Sequence, residues 1–344
     1  MRHSLLPASG WTGIGNFPPK IDEFLKLLLA ADSALLALVN RHGSRGLGAP
    51  DHQCCSNLTW VNVRAARNAH LVSRIQGGRM GLAEIVNALL TPRERLVWEA
   101  SLARNARDYM KGADLAREGE KPMALRIVLA GWAQKYKQMP DGRRQILGVV
   151  LPGELCDLDL FTVARTDHSI AAVRRLSVAE IGRADAQRLF EQCPNLASAL
   201  CWAAILGAAV QREWTINIGQ RSALERVAQL LCEIYVRQHD IPSVGGGSCD
   251  FLLTQGQMAE AMGLTQVHVN RIVQQLRLRC AVEIRNMRLE IPDFQQLAAL
   301  ASFNATYLHL GEAATLVERV RMLFLSDFDR PDRRNGDGAI LPTI

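Results

Sequence analysis

Residues 254–279 read TQGQMAEAMGLTQVHVNRIVQQLRLR and contain the clearest structural pattern in the chain. Thr254 and Gln257 have the spacing of a capping box, in which each side chain accepts a backbone N–H of the other residue at a helix start. Gly263 would end that helix, because glycine readily adopts the left-handed conformation that a sharp turn requires. Thr265 would cap a second helix. The pattern therefore predicts two helices joined by a tight turn.

The second helix has one apolar face and one polar face. Val269, Ile272 and Leu276 recur at three- and four-residue steps, which predicts that they anchor the helix in a core. The opposite face contains amide, imidazole and guanidinium groups but no carboxylate: Gln266, Val267, His268, Asn270, Arg271, Gln274 and Arg277. These groups suit base edges in a DNA major groove. We therefore predict a DNA recognition helix over 265–279; a helical hairpin with a merely solvated polar face is the alternative.

Basic residues continue beyond this helix. Arg277, Arg279, Arg285 and Arg288 are opposed only by Glu283 before residue 290. Such a set could neutralise DNA phosphates. Residues 282–285 and 288–291 flank a two-residue turn, which predicts a two-stranded wing.

The preceding part of the chain has a strand-like pattern. A short helix is predicted over 91–103, where Thr91 and Glu94 flank Pro92. Apolar segments at 125–138 and 144–151 then flank a tight-turn signature, Pro140-Asp141-Gly142. Short strands at this spacing predict an antiparallel sandwich or barrel over 108–185.

A long apolar helix is predicted next, over 194–216. Its stripe consists of Leu196, Leu200, Ala203, Leu206, Gly207 and Val210. A helix that is apolar around so much of its surface must be covered. A second copy in a symmetric dimer would cover it, and burial within a single protomer is the alternative. We predict a break at 217–219, a helix over 222–238 and a flexible loop over 243–248.

Composition excludes several classes of protein. The net charge of +6 is compatible with a polyanionic partner. The eight cysteines form no CxxC pair, which favours a reducing cytoplasm. No segment reads as a membrane span, and we find no HExxH, GxSxG or P-loop, so an enzyme is not expected. His52, Cys54 and Cys55 are unsuitably spaced for a closed metal site, so no metal is predicted.

The order of these parts resembles the Crp/Fnr family of dimeric bacterial transcription regulators. The resemblance spans about residues 85–310 and rests on Gly131-Trp132-Ala133, Pro140-Asp141-Gly142-Arg143-Arg144-Gln145, Pro152-Gly153-Glu154-Leu155-Cys156-Asp157 and Thr265-Gln266-Val267-His268-Val269-Asn270-Arg271. It implies an α+β fold with a β-roll (jelly-roll) sensor domain, a dimerisation helix and a winged helix-turn-helix. It also implies a homodimer on a two-fold symmetric DNA operator. RNA polymerase would be a further partner.

On this reading the chain divides into five parts. We predict a poorly ordered extension over 1–80, a sensor domain over 81–193 and a dimerisation helix over 194–218. A winged helix-turn-helix domain would follow over 219–304, and a tail over 305–344.

The resemblance also assigns the DNA contacts. The family's base-contacting positions fall on Gln266, Val267 and Arg271. Thr254, Thr265 and His268 fall on its phosphate-contacting positions, to which the basic residues Arg277, Arg285 and Arg288 are added. The alternatives are that Arg271 pairs with a phosphate or a carboxylate, and that His268 is packed.

A possible effector pocket maps onto Gly153, Glu154, His168 and Ser169. His168 stands where relatives that bind cyclic nucleotides carry a phosphate-binding arginine, so cyclic AMP is not expected to bind in the usual manner. Cysteines clustered as for an iron–sulfur cluster are absent from the sequence. Haem stays open, no cofactor is predicted, and the signal is not identified. The alternative function is a sensor that acts through protein partners without binding DNA.

Overall fold

The computed structural model describes residues 82–312 and Thr315. The predictions for residues 1–80, including the group at His52, Cys54 and Cys55, lie outside the described residues. So does most of the predicted tail.

The first half of the described chain is a β-roll flanked by helices. Its elements are α1 (Leu82–Leu89), α2 (Pro92–Arg104), β1 (Ala106–Tyr109), β2 (Asp114–Ala116), β3 (Ala124–Ala130), β4 (Ala133–Gln138), β5 (Arg144–Val150), α3 (Asp159–Thr162), β6 (Ser169–Ala172), β7 (Leu176–Gly182) and α4 (Arg183–Gln192). The strands form two antiparallel sheets, with strand orders β1-β7-β3 and β2-β6-β4-β5. The predicted sandwich is confirmed.

The sheet of β1, β7 and β3 is covered on both faces. Ile127 and Ile181 pack in one cluster with helical residues such as Trp98. Val128 and Val178 pack in another cluster with residues of the second sheet. Because both faces are buried, β3 reads as an almost continuous apolar run instead of an alternating one.

The long helix α5 spans Asn195–Gln220, which is 26 residues. The break predicted at 217–219 is therefore wrong. The Asn217 side chain is buried, and its Nδ2 donates to the backbone oxygen of Arg226 at 3.2 Å. This bond engages the side-chain amide N–H without interrupting the helix. The next helix begins after Ser222, which forms a capping box with Glu225.

The second half is a winged helix-turn-helix. Its elements are α6 (Ala223–Gln238), β8 (Gly247–Asp250), α7 (Gln255–Met262), α8 (Gln266–Cys280), β9 (Glu283–Arg285), β10 (Arg288–Ile291), α9 (Phe294–Ala301) and a 3-10 turn (Ala305–Leu308). Leu308 in that turn is buried, so packed structure extends past residue 304, the predicted end of the winged helix-turn-helix domain.

The wing has three strands instead of the predicted two. β8 pairs antiparallel with β10, which also pairs with β9. The loop predicted over 243–248 therefore ends in a strand at Gly247. The residue before it must be small, because a Cβ on Gly246 would lie 1.7 Å from the backbone oxygen of Ile291.

No single helix among the described residues is long and apolar enough to cross a membrane. The pair α4 and α5 meets that criterion only when taken together, and it is bent by 117°.

Candidate nucleic-acid interface

Local hydrogen bonds place the two helices of the motif as their sequence predicts. At the start of α7, the Gln257 backbone N–H donates to Thr254 Oγ1 at 3.2 Å, and the Thr254 N–H donates to Gln257 Oε1 at 3.0 Å. Gly263 ends the helix with φ +65°. Thr265 Oγ1 then accepts from the His268 N–H at 3.2 Å and caps α8. The turn is therefore encoded by contacts within four residues.

The candidate recognition helix α8 presents the predicted polar face to solvent. Val269, Ile272 and Leu276 are buried against the domain core. Gln266, Val267, His268 and Arg271 are all exposed, as is most of the polar face. Asn270 Nδ2 donates to Gln255 Oε1 on α7 at 3.1 Å. The N-terminal part of the exposed surface of α8 therefore offers polar side chains together with Val267, which is 64% exposed.

The arginines around α8 fall into two groups. Arg277 and Arg285 both pair with Glu283, at 2.8 Å and 3.2 Å, and Arg288 pairs with Asp250 at 3.1 Å. Arg271 forms no ion pair with any of the described residues. Exposed ion pairs contribute about 0–1 kcal/mol, so a phosphate group can replace these carboxylates at little cost.

The predicted effector residues are engaged within the protein. Arg237 of α6 donates from Nε to Glu154 Oε1 at 3.1 Å and from Nη2 to Glu154 Oε2. Ser169 Oγ accepts from the Glu118 backbone N–H at 2.9 Å. Gly153 is buried in the turn before Glu154. The Glu154 carboxylate thus faces an arginine of the helix-turn-helix domain.

Arg237 belongs to a buried polar cluster. Its Nη1 donates to Glu233 Oε1 at 3.0 Å, and its Nη2 donates to the Val149 backbone oxygen at 2.8 Å. Glu233 also accepts from Trp214 Nε1 at 3.0 Å and from the Tyr307 hydroxyl at 2.8 Å. The cluster therefore links the sensor domain, α5, α6 and the last turn of the described chain.

Burial and the neighbouring charges shift the pKa values of Glu233 and Arg237 in opposite directions. Burial raises the pKa of Glu233, and Arg237, Trp214 and Tyr307 counteract it. Burial alone would lower the pKa of Arg237, but the carboxylates of Glu154 and Glu233 raise it above its ordinary value. The arginine therefore stays charged, and each carboxylate is stabilised by it.

Sequence reasoning missed this cluster. The available signal was a Glu and an Arg four residues apart, Glu233 and Arg237, within the apolar run of α6. Such a pair inside a buried helix indicates an ion pair. Its partners Glu154 and Tyr307 are more than 70 residues away in sequence and carried no local signal.

The first helix of the motif also contacts the sensor domain. Arg144 of β5 pairs with Glu260 at 2.8 Å. Gln257, the capping residue, donates from Nε2 to Gln134 Oε1 at 3.0 Å. Trp132 and Phe251 meet edge-to-face, with ring centroids 6.0 Å apart. In this conformation, α7 is docked on the sensor while α8 remains exposed.

The predicted dimer residues of α5 lie mostly in the core of their own protomer. Leu196, Leu200 and Leu206 are buried, Ala203 and Val210 are half-buried, and Gly207 is exposed. Successive residues of an α-helix are rotated by about 100° about its axis, so residues three or four apart align. On the side of α5 opposite the buried leucines, such residues form a second stripe. Its members are all exposed, and only one is charged: Cys201, Ala204, Ile205, Ala208, Arg212, Thr215, Ile216 and Gly219. We call this set the outer stripe of α5.

Comparison with known domain families gives two matches. Residues 106–193 match the cyclic nucleotide-binding domain. Residues 225–300 match the Crp-like helix-turn-helix domain. The two matches coincide with the β-roll and with the winged helix-turn-helix.

Comparison with individual proteins agrees. The chain is 30% identical over 195 residues to the nitrogen fixation regulation protein FixK of Bradyrhizobium diazoefficiens, covering 56% of this chain and 81% of that protein. It is 28% identical over 196 residues to the transcriptional activator protein FnrL of Cereibacter sphaeroides, covering 56% and 78%. The structure of FixK2 from Bradyrhizobium japonicum superposes with a TM-score of 0.51 and 22% identity, covering 58% and 98%, which supports the fold.

Proposed function

Because the chain belongs to the Crp/Fnr family of transcription regulators, we propose that it binds a two-fold symmetric operator as a homodimer, with α8 in the major groove. The exposed polar face of α8 carries the proposal. Its relatives are transcription regulators and not enzymes, so we assign no catalytic residue. The alternative of a sensor without DNA binding is not favoured, since the helix-turn-helix keeps both caps and its exposed donors.

We assign base reading to Gln266, Val267 and Arg271. The guanidinium of Arg271, which forms no ion pair with the described residues, can donate to the two acceptors of one guanine, and Val267 can contact a thymine methyl group. Thr254, Thr265 and His268 would contact phosphates near the two helix starts, where backbone N–H groups favour anions. Arg277, Arg285 and Arg288 would exchange their exposed carboxylate partners for phosphates.

The outer stripe of α5 supports a homodimer. An exposed stripe of small and apolar side chains along one helix is the surface that a second copy would cover in a two-fold symmetric contact. Two recognition helices related in this way would reach half-sites about 34 Å apart. The dimer face is therefore the side of α5 opposite Leu196, Leu200 and Leu206.

The sensor domain is not expected to bind a cyclic nucleotide in the usual manner. Glu154 is paired with Arg237, and His168 lies beside carboxylates where a phosphate would need positive charge. The protein would act in the cytoplasm, where its operator is.

The test is selection of bound duplexes from random DNA, followed by affinity measurements on the selected site and on scrambled DNA. Arg271→Ala should lower affinity for the selected site by about 1–3 kcal/mol and relax specificity at one base position. Arg285→Ala should weaken binding to both DNAs alike and reduce the salt dependence by about one phosphate contact. Arg188→Ala on α4 of the β-roll half, where the side chain is exposed, is the matched control.

Two results would contradict the proposal. One is a selection that yields no preferred sequence. The other is an Arg271→Ala variant that loses equal affinity for the selected and the scrambled DNA, since base reading requires a difference between them.

A further inference from the structure

Three side chains that can bind metal ions meet in the sensor domain. Asp157 precedes α3, Asp159 is the first residue of α3, and His168 precedes β6. One ligand atom from each of the three lies within 4.8 Å of those of the other two. Metal–ligand bonds of about 2.0–2.2 Å would require the three ligand atoms to lie closer together than this limit.

Each of the three side chains has one unsatisfied polar atom. Asp157 Oδ2, Asp159 Oδ2 and His168 Nε2 are all shielded from solvent, and none has a hydrogen-bond partner among the described residues. A buried polar group without a partner costs about 1–3 kcal/mol. Three of them in one place need a common partner.

The second ligand atoms of His168 and Asp157 are already engaged. His168 Nδ1 lies 2.7 Å from Asp167 Oδ1, and Asp157 Oδ1 accepts from the Asp159 backbone N–H at 3.2 Å. A carboxylate that accepts from Nδ1–H leaves Nε2 with a free lone pair, as in carboxylate–histidine–metal arrangements. In this tautomer His168 Nε2 is an acceptor, as are the carboxylate oxygens of Asp157 and Asp159.

The charge of the cluster favours a cation. The Asp157 and Asp159 carboxylates lie close together in a half-buried position, and the Asp167 carboxylate lies beside His168. A bound cation would offset both the burial of the carboxylates and their mutual repulsion.

We propose that Asp157, Asp159 and His168 bind a first-row divalent transition-metal ion, of the class of Mn²⁺, Fe²⁺ and Zn²⁺. Two carboxylate oxygens and one imidazole nitrogen suit these ions, whereas Mg²⁺ and Ca²⁺ prefer oxygen donors alone. Asp167 orients the imidazole. Three protein ligands leave further coordination positions for water or a second ligand.

The test is calorimetric titration of the chelator-treated full-length chain with Mn²⁺, Zn²⁺ and, under anaerobic conditions, Fe²⁺. The expected result is one ion per chain and a higher unfolding temperature in its presence. Asp159→Asn and His168→Gln should each abolish this binding, and Asp167→Asn should weaken it by about 10–100-fold. Asp185→Asn on α4 and the double variant Cys54→Ser, Cys55→Ser are controls that should retain it.

The metal-free variants provide an independent readout of folding. Asp159→Asn removes a buried negative charge, so without metal it should unfold at the same or a higher temperature than the wild type. Absence of binding by all three ions, or binding that survives both Asp159→Asn and His168→Gln, overturns the proposal. Binding is measured without DNA, so the outcome is independent of the operator proposal.

Discussion

Arg237 of the helix-turn-helix domain donates to both carboxylate oxygens of Glu154 in the sensor domain. The arginine side chain is only 4% exposed and the glutamate side chain 13%. The turn of the predicted effector pocket therefore contacts the helix-turn-helix domain here. Since Glu154 lies three residues before Asp157, a change at the proposed metal site would reach this contact through a short segment of backbone.

Glu154→Gln should destabilise the protein by about 1.5–3 kcal/mol, the usual contribution of a hydrogen bond to a charged group. The substitution preserves shape but leaves Arg237 with Glu233 as its remaining carboxylate partner among the described residues. Urea unfolding measures the effect. Glu118→Gln is the control, because its ion pair with Lys137 is exposed and should contribute less than about 1 kcal/mol. Equal urea midpoints for the two variants would show that the buried Glu154–Arg237 pair contributes no more stability than the exposed Glu118–Lys137 pair.

Ile205→Glu should dissociate the proposed dimer without unfolding the protomer. Ile205 is 49% exposed on the outer stripe of α5, and a two-fold contact would bury two added charges. We expect the dimer dissociation constant to rise at least about tenfold, which corresponds to roughly 1.4 kcal/mol. Sedimentation velocity measures it.

The neighbouring residue provides the matched control for this prediction. Leu206 is 6% exposed and lies in the core, so Leu206→Glu should unfold the protomer itself. A wild-type monomer at all concentrations, or an Ile205→Glu variant that remains fully dimeric, would contradict the proposed face.

Ile205 is exposed whereas the adjacent Leu206 is buried, and the sequence pattern does not predict this difference. Caps, turns and the buried positions of α8 could be predicted because each depends on residues within a few positions of one another. The orientation of α5 could not be predicted. Apolar residues occur on both of its sides, so the hydrophobic pattern does not indicate which side is buried in the protomer. The Arg237 cluster and the group around His168 depend on segments distant in sequence, and only the fold brings them together.

Gly246→Ala should destabilise the wing by about 1–3 kcal/mol, the usual cost of overpacking. The added Cβ would meet the backbone oxygen of Ile291, and backbone cannot rotate away as a side chain can. Gly207→Ala is the matched control with the opposite sign. Nothing lies within 4 Å of a Cβ there, and alanine is favoured over glycine inside a helix by about 0.5–1 kcal/mol. If both variants shift the unfolding midpoint in the same direction, the close approach at Gly246 is not a constraint.

The last prediction concerns Glu94, which joins the start of α2 to the start of α5. Its carboxylate accepts from the Thr91 N–H at 2.8 Å and from the Asn195 N–H at 3.2 Å. Burial raises the pKa of Glu94, but the hydrogen bonds from Thr91 and Asn195 outweigh it and lower the pKa below the ordinary 4.5. A carboxyl group with a lowered pKa stabilises the fold above its unfolded-state pKa, and this contribution is lost as pH falls through the folded-state pKa.

Glu94→Gln should therefore cost the most stability at neutral pH. The difference from wild type should be constant down to about pH 5 and shrink below the ordinary pKa of 4.5, as the wild-type carboxyl group gains a proton and comes to resemble the amide. Urea unfolding of both proteins between pH 7 and pH 4 measures this difference. A difference that stays constant over the whole range would mean that Glu94 acts through packing and not through its charge.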